Sequence, residues 1–320
     1  MKTRLAIVTH LLFWTLILIL GLPSAWSAEF DYQLQPKAVA PDTWVLQGRL
    51  EDFSFANGGN IVNTAFITTA DGVVVIDSGP SLRYGQQLLA AIRKVSAAPI
   101  ARVLITHHHP DHFLGNQAFP PASIAALPGT IQDINREGKA FAENMYRLTG
   151  DWMAGTEAMT PAAPLAPGTL EIGGHRLELL ALAGHTGTDL GVFDRTTGVL
   201  FGGDLVFYQR APTTPHARIP AWLTSLNHLA ALPFQVLVPG HGPVTRDGAP
   251  LRQTRDYLLW LDQTMRDGAA AGLDMTEMLA RPLPPAFRDL AVQPEEYRRS
   301  VAHLFPAAEQ AVLEPAGARR

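Results

Sequence analysis

The chain reads as an α/β protein, a four-layer αβ/βα sandwich, and three observations predict it. Residues 73–105 run strand, helix, strand: an apolar run GVVVID, a helical stretch after Ser81, and the apolar run IARVLI. A crossover of that kind joins parallel strands. A second strand-rich half covers residues 170–238 and has its own helix near 221–232. Two halves with strands inside and helices outside stack sheet on sheet, with a helical layer over each. Finally, histidine and aspartate recur in the loops after four apolar runs, which collects them along one edge where the sheets meet.

Taken in order, residues 1–27 read as a signal peptide. Lys2 and Arg4 precede an almost wholly apolar stretch over 5–22, and Ala25 and Ser27 are the small residues of a cleavage site. That stretch approaches bilayer-spanning length, so an uncleaved anchor is the alternative, and only then is the protein membrane-bound. The mature protein is expected in the periplasm or secreted. With no cysteine in the chain, neither a lipid thioether nor a disulfide can form.

Residues 28–247 are expected to form the sandwich. Residues 44–46 and 60–68 (NIVNTAFIT) read as strands, and Asp71-Gly72 marks a hairpin turn into 72–77. Ser81 is a candidate N-cap for a helix to about 98, with Leu82, Leu88, Leu89, Ile92 and Val95 on its buried face. Residues 129–155 have helical periodicity and carry Phe141, Tyr146 and Trp152. They read as a surface helix, with a lid as the alternative. Residues 160–168 (TPAAPLAPG) read as a loop, and 176–183, 199–201 and 235–238 as strands. Residues 248–320 read as a helical C-terminal extension, with helices over 251–271 and 275–281 and a break at 282–285. Leu258, Leu259, Leu261 and Met265 are expected to dock on the sandwich, and the last six residues to fray.

The chemistry is concentrated in Thr106-His107-His108-His109-Pro110-Asp111-His112. His107, His109, Asp111 and His112 space four potential ligands as H-x-H-x-D-H. Imidazole and carboxylate without thiolate favour zinc, with iron or manganese as alternatives. Taken alone, the run could also be an exposed tract that binds metal adventitiously, or a loop with one catalytic histidine. Three further loops carry His185, Asp204 and His241, each beside glycine and after an apolar run. His108 stands at an x position and is expected to face away, and His175 follows Gly173-Gly174 in a turn expected at the surface. A net charge of −4, with no basic stripe interleaved with aromatics, excludes nucleic acid as an expected partner.

These residues resemble the metallo-β-lactamase superfamily over roughly residues 44–243. The resemblance implies that His107, His109 and His185 hold a first ion, that Asp111, His112 and His241 hold a second, and that Asp204 bridges them. Asp77 would support the metal loop from behind, with an Asx turn as its other reading. Asp at the bridging position is similar to glyoxalase-II-type hydrolases. The segment after it, Tyr208-Gln209-Arg210-Ala211-Pro212, departs from their glutathione-recognition stretch and counts against a glutathione thioester. Residues 184–190 (GHTGTDL) and 203–207 (GDLVF) look like the periplasmic quinoprotein relay system zinc metallohydrolases, a branch near sulfur oxidation.

The resemblance implies a dinuclear zinc hydrolase whose metal-bridging hydroxide attacks an ester, lactone, thioester or amide carbonyl of a small-molecule substrate. Asp111 is the candidate catalytic residue, orienting that hydroxide. Tyr208, Arg210 and His216 are candidate substrate contacts, suited to an anionic or polar substrate. A functional link to a periplasmic quinoprotein dehydrogenase or c-type cytochrome is expected. The alternatives are a mononuclear non-haem iron oxygenase of the persulfide-dioxygenase type, a β-lactamase, and a metal-binding accessory protein without turnover.

Overall fold

The computed structural model describes residues 30–313. The expected signal segment and the last six residues lie outside them. The sandwich and its helices belong to a compact unit that begins at Leu34.

One sheet has seven strands in chain order: β1 (Lys37–Ala40), β2 (Thr43–Leu46), β3 (Thr64–Thr69), β4 (Gly72–Ile76), β5 (Ile100–Ile105), β6 (Ile124–Ala126) and β7 (Ala163–Pro164). The first four pair antiparallel, and β4 to β7 run parallel. The second sheet contains β8 (Gly168–Ile172), β9 (His175–Leu182), β10 (Asp189–Asp194), β11 (Val199–Phe207) and β12 (Val236–His241), in the order 12-11-10-9-8. Only its β11–β12 pair is parallel. Each parallel pair at the site is joined by a helix: α1 (Leu82–Arg93) between β4 and β5, and α4 (Ile219–Ala230) between β11 and β12. The remaining helices are α2 (Pro110–Phe113), α3 (Pro128–Thr149), α5 (Ala249–Ala270), α6 (Met275–Leu279) and α7 (Glu295–Leu313). Among the described residues no helix is long and apolar enough to cross a membrane.

Strand alternation builds the interior. Val74 and Ile76 of one sheet and Leu177, Leu179, Val236 and Val238 of the other, each pair two residues apart, lie in one buried cluster. A second cluster joins Leu200, Val206 and Trp222 to Tyr257, Leu258, Leu261, Tyr297, Val301 and Phe305, so the C-terminal helices share a continuous apolar core with β11 and α4.

Several elements differ from expectation. Residues 60–63 form no strand, because their polar groups bond elsewhere: the Asn63 backbone N–H donates to Gly240 O at 2.8 Å. The Asn63 side-chain amide donates to Pro239 O and Gly242 O at 2.8 and 2.7 Å. α1 stops at Arg93, five residues early, as Lys94 and Val95 turn back onto Ala91 and Ile92 carbonyls, and Val95 is exposed. Leu259 is exposed rather than docked, while Leu258, Leu261 and Met265 are buried. The loop at 160–168 contains the short strand β7. The strand expected over 199–201 continues to Phe207. Helix α7 lies within the expected helical extension, past the individual helices expected there, and carries Pro306 inside it.

Candidate metal centre

The parallel neighbours β4 and β5 end side by side, and Asp77 follows β4 with φ +60°. From there its Oδ1 accepts the Thr106 N–H at 2.8 Å and its Oδ2 accepts the Thr106 hydroxyl at 2.9 Å. The same Oδ2 lies 2.7 Å from His112 Nδ1. A proton held at that Nδ1 leaves the Nε2 lone pair facing inward. His241, the last residue of β12, is fixed in the same sense by Nδ1 against Ile61 O at 2.8 Å. Pro110 starts α2, which places Asp111 and His112 in one turn behind His109.

Asp204 sits inside β11, not in a loop after it. The β11–β12 register slips on both sides of Gly203, which has φ +50°, and this irregularity turns the Asp204 carboxylate into the centre. Gly240 makes room for it: a Cβ there would lie 2.0 Å from Asp204 Oδ1. Asp204 Oδ2 lies 3.2 Å from His241 Nε2, 3.3 Å from His185 Nε2 and 3.9 Å from His107 Nε2, and its Oδ1 lies 3.2 Å from His112 Nε2. Asp111 Oδ2 lies 3.4 Å from His241 Nε2 and 3.7 Å from His112 Nε2. His109 Nδ1 lies 2.8 Å from His185 Nε2.

The seven side chains are thus brought together as two groups, His107, His109, His185 and Asp204 beside Asp111, His112 and His241. Their fit to metal is tested by their unmet polar atoms. His107 Nε2, Asp111 Oδ2, His112 Nε2 and Asp204 Oδ1 are buried without a hydrogen-bond partner. Buried polar atoms in such numbers need a ligand or water. Bonds of about 2.0–2.2 Å at tetrahedral angles separate ligand atoms by roughly 3.3–3.6 Å, close to the spacings found. The residues fit divalent ions.

Electrostatics agree with that fit at the three imidazoles of the first group, while His112 would release a proton on binding metal. Burial, reinforced by neighbouring imidazoles, holds His107 and His109 well below the usual histidine range, and burial brings His185 down to about 3. They are neutral donors at pH 7. Burial opposes charge on His112 too, but Asp204, Asp111 and Asp77 outweigh it and raise the ring well above 6.5. Asp204, despite burial, is held well below its ordinary value by His241 and His112, whereas burial raises Asp111.

The other candidates are placed variously. Arg210 is buried, with Nη2 3.3 Å from Glu296 Oε1 of α7, so its charge is spent on an internal ion pair. The Tyr208 backbone N–H donates to His241 O, and its side chain is not among those lining the cavity over the centre. His216 does line it, and its Nδ1 lies 2.8 Å from His109 Nε2 while its Nε2 lies 3.7 Å from Glu137 Oε2. His108 faces Asp133 and Glu137 of α3 and stands outside both main groups. His175 is buried rather than at the surface, because its Nδ1 meets Asp194 Oδ2 at 2.8 Å. The reading of residues 129–155 as a surface helix is incomplete, since Phe141, Asn144 and Leu148 of α3 wall the cavity. Sequence reasoning missed Asn63 and also Asp189, which accepts the Thr186 N–H and hydroxyl and shapes the His185 loop.

The family model for the metallo-beta-lactamase superfamily matches residues 57–241. The chain belongs to that superfamily, a class of metal-site hydrolases. It is similar to a linear primary-alkylsulfatase of Pseudomonas sp., 26% identical over 283 residues, which cover 74% of this chain and 53% of that protein. It is also similar to the hydroxyacylglutathione hydrolase of Rhodobacter capsulatus, 27% identical over 187 residues, 57% of this chain and 61% of that one. The chain therefore spans about half the length of that sulfatase. Among solved structures, a metallo-beta-lactamase from Pontibacter korlensis superposes with TM-score 0.57 at 23% identity, covering 71% of this chain and 99% of that one. A sec-alkylsulfatase from Pseudomonas sp. superposes with TM-score 0.66 at 16% identity, covering 88% and 52%. The expected superfamily and sandwich are borne out.

Proposed function

We propose that the protein is a dinuclear zinc hydrolase that cleaves an ester, lactone, thioester or amide. One observation carries this reading: two adjacent donor groups meet at the Asp204 carboxylate, 3.3 Å from His185 and 3.2 Å from His112 and His241, and turn unpartnered nitrogens and oxygens inward. His107, His109 and His185 would hold one ion, Asp111, His112 and His241 the other, and Asp204 both. Bound there, the ions supply Lewis acidity to water and to the carbonyl oxygen. The chain's own contribution is to orient and to move protons. Asp111 lines both the centre and the cavity, which places its carboxylate to hold the attacking water and receive its proton. Asp77 and Ile61 O keep His112 and His241 in the tautomers that face inward.

Export rests on the charged and apolar pattern of residues 1–27, and service to a periplasmic quinoprotein or cytochrome rests on the likeness of 184–190 and 203–207. Fractionation of the producing cell tests the first. Elemental analysis of purified protein, followed by a chelator-controlled substrate panel, tests the hydrolase. Two zinc ions per chain and turnover that chelator abolishes and zinc restores are expected. One iron per chain with oxygen uptake on a persulfide would replace the reading with an oxygenase. His109→Ala that retains both metal and turnover would remove it.

A further inference from the structure

The cavity over the centre encloses about 270 Å³. That is near the small end of ligand pockets, which run ~300–1,000 Å³, so it holds a short group, while the rest of a substrate extends through its open mouth. Among the described residues lining it, the two cations are Arg210 and Arg299. Both are already matched. Arg299 Nη1 lies 2.7 Å from Glu296 Oε1, its Nη2 lies 2.8 Å from Asp52 Oδ2, and Arg210 Nη2 shares Glu296. Two positive groups thus meet two carboxylates, and no arginine charge is left to recruit an anion.

Asn144, Thr213 and His216 add polar groups to the wall, and six apolar side chains make up the rest of it away from the centre. Phe141 of α3 stands with its ring centroid 6.0 Å from that of His109 and 6.4 Å from that of His216. Phe53, Ile61, Pro110, Pro215 and Leu148 join it on the apolar part of the surface. Leu148 is 42% exposed, so an apolar surface next to the centre is left open to solvent.

We infer that part of this cavity is an apolar acyl subsite, and that the ester, lactone, thioester or amide cleaved carries a short uncharged hydrocarbon group on its acyl side. The inference rests on the hydrolase reading. It reverses the expectation that Arg210 selects an anionic substrate. Hydrolysis breaks the acyl–X bond, forms an acyl–OH bond with water, and delivers the second water proton to X.

The test uses the full zinc-loaded protein with p-nitrophenyl acetate, p-nitrophenyl butyrate and mono-p-nitrophenyl succinate. Each methylene withdrawn from water favours binding about fourfold, so butyrate should exceed acetate about tenfold in kcat/KM. Succinate monoester, of the same length but charged, should fall about tenfold or more below butyrate. Phe141→Ala and Leu148→Ala should flatten the chain-length dependence, with melting temperatures recorded alongside. Equal rates for acetate and butyrate, or preference for the charged ester, would overturn the subsite. If none of these esters is cleaved, the hydrolase reading is decided by the wider substrate panel, and the subsite is judged by binding alone. Hexanohydroxamate should then bind about tenfold or more tighter than acetohydroxamate, and equal affinity would dispose of it.

Discussion

Gly240→Ala is the sharpest perturbation the geometry offers. An added Cβ would stand 2.0 Å from Asp204 Oδ1 and 2.7 Å from the Gly203 carbonyl carbon, where ordinary contact begins at 3.4 Å. Asp204 must therefore withdraw by about 1.4 Å, since Gly203 blocks the alternative of moving the methyl. Metal sites tolerate displacements of only about 0.5 Å. Loss of a ligand's partner in the outer shell costs ~10–100-fold in metal affinity, and displacing a shared ligand should cost more. Zinc content by elemental analysis and affinity by chelator competition measure the effect. A melting curve of the metal-free protein separates it from misfolding. Gly187→Ala is the control: it lies two residues from His185, and the nearest atom to its Cβ would be Arg218 Nη2 at 3.6 Å. A Gly240→Ala protein that binds two zinc ions as tightly as the parent would refute the placement of Asp204.

Three further outcomes are expected. His216→Ala removes the 2.8 Å partner of His109 Nε2 and should weaken zinc binding about 10–100-fold without unfolding a residue that is already exposed; chelator competition reads it. Glu296→Ala leaves Arg210 buried and uncompensated and should cost ~3–5 kcal/mol in denaturant melts, whereas replacing both partners by Leu and Met should cost far less. Burial pushes Asp189 from 3.8 up to about 7. At Asp189 the folded metal-free protein therefore holds a proton that the unfolded chain has lost between those values, a contribution that lowers stability as pH rises through that window and opposes the gain from the depressed His107, His109 and His185. Asp189→Asn should remove that contribution, so that stability rises more steeply with pH in melts taken across the window; an unchanged profile would contradict the assignment.

The seven candidate ligands were legible because metal chemistry restricts residue type and spacing at once. H-x-H-x-D-H after a strand, then His, Asp and His after later strands, leaves few other readings. The crossover over 73–105 was legible for a related reason, since apolar period and a capping serine are local signals. What lies between distant segments was not. Asn63 reads as part of a strand until Pro239 of β12 and the following Gly242 are seen to take its amide protons. Arg210 reads as a reach toward substrate until Glu296, 86 residues on, neutralises it. Asp204 reads as a strand-end loop until the slipped register at Gly203 shows it held within β11.

The amino-acid order by itself determined which atoms can bind metal and which runs form strands, because donor type and side-chain period are properties of short segments. Only the tertiary structure decided which charges reach the cavity. Whether an arginine greets a substrate or is cancelled depends on which carboxylate the fold brings within about 3 Å of it, and that carboxylate belongs to a helix far along the chain.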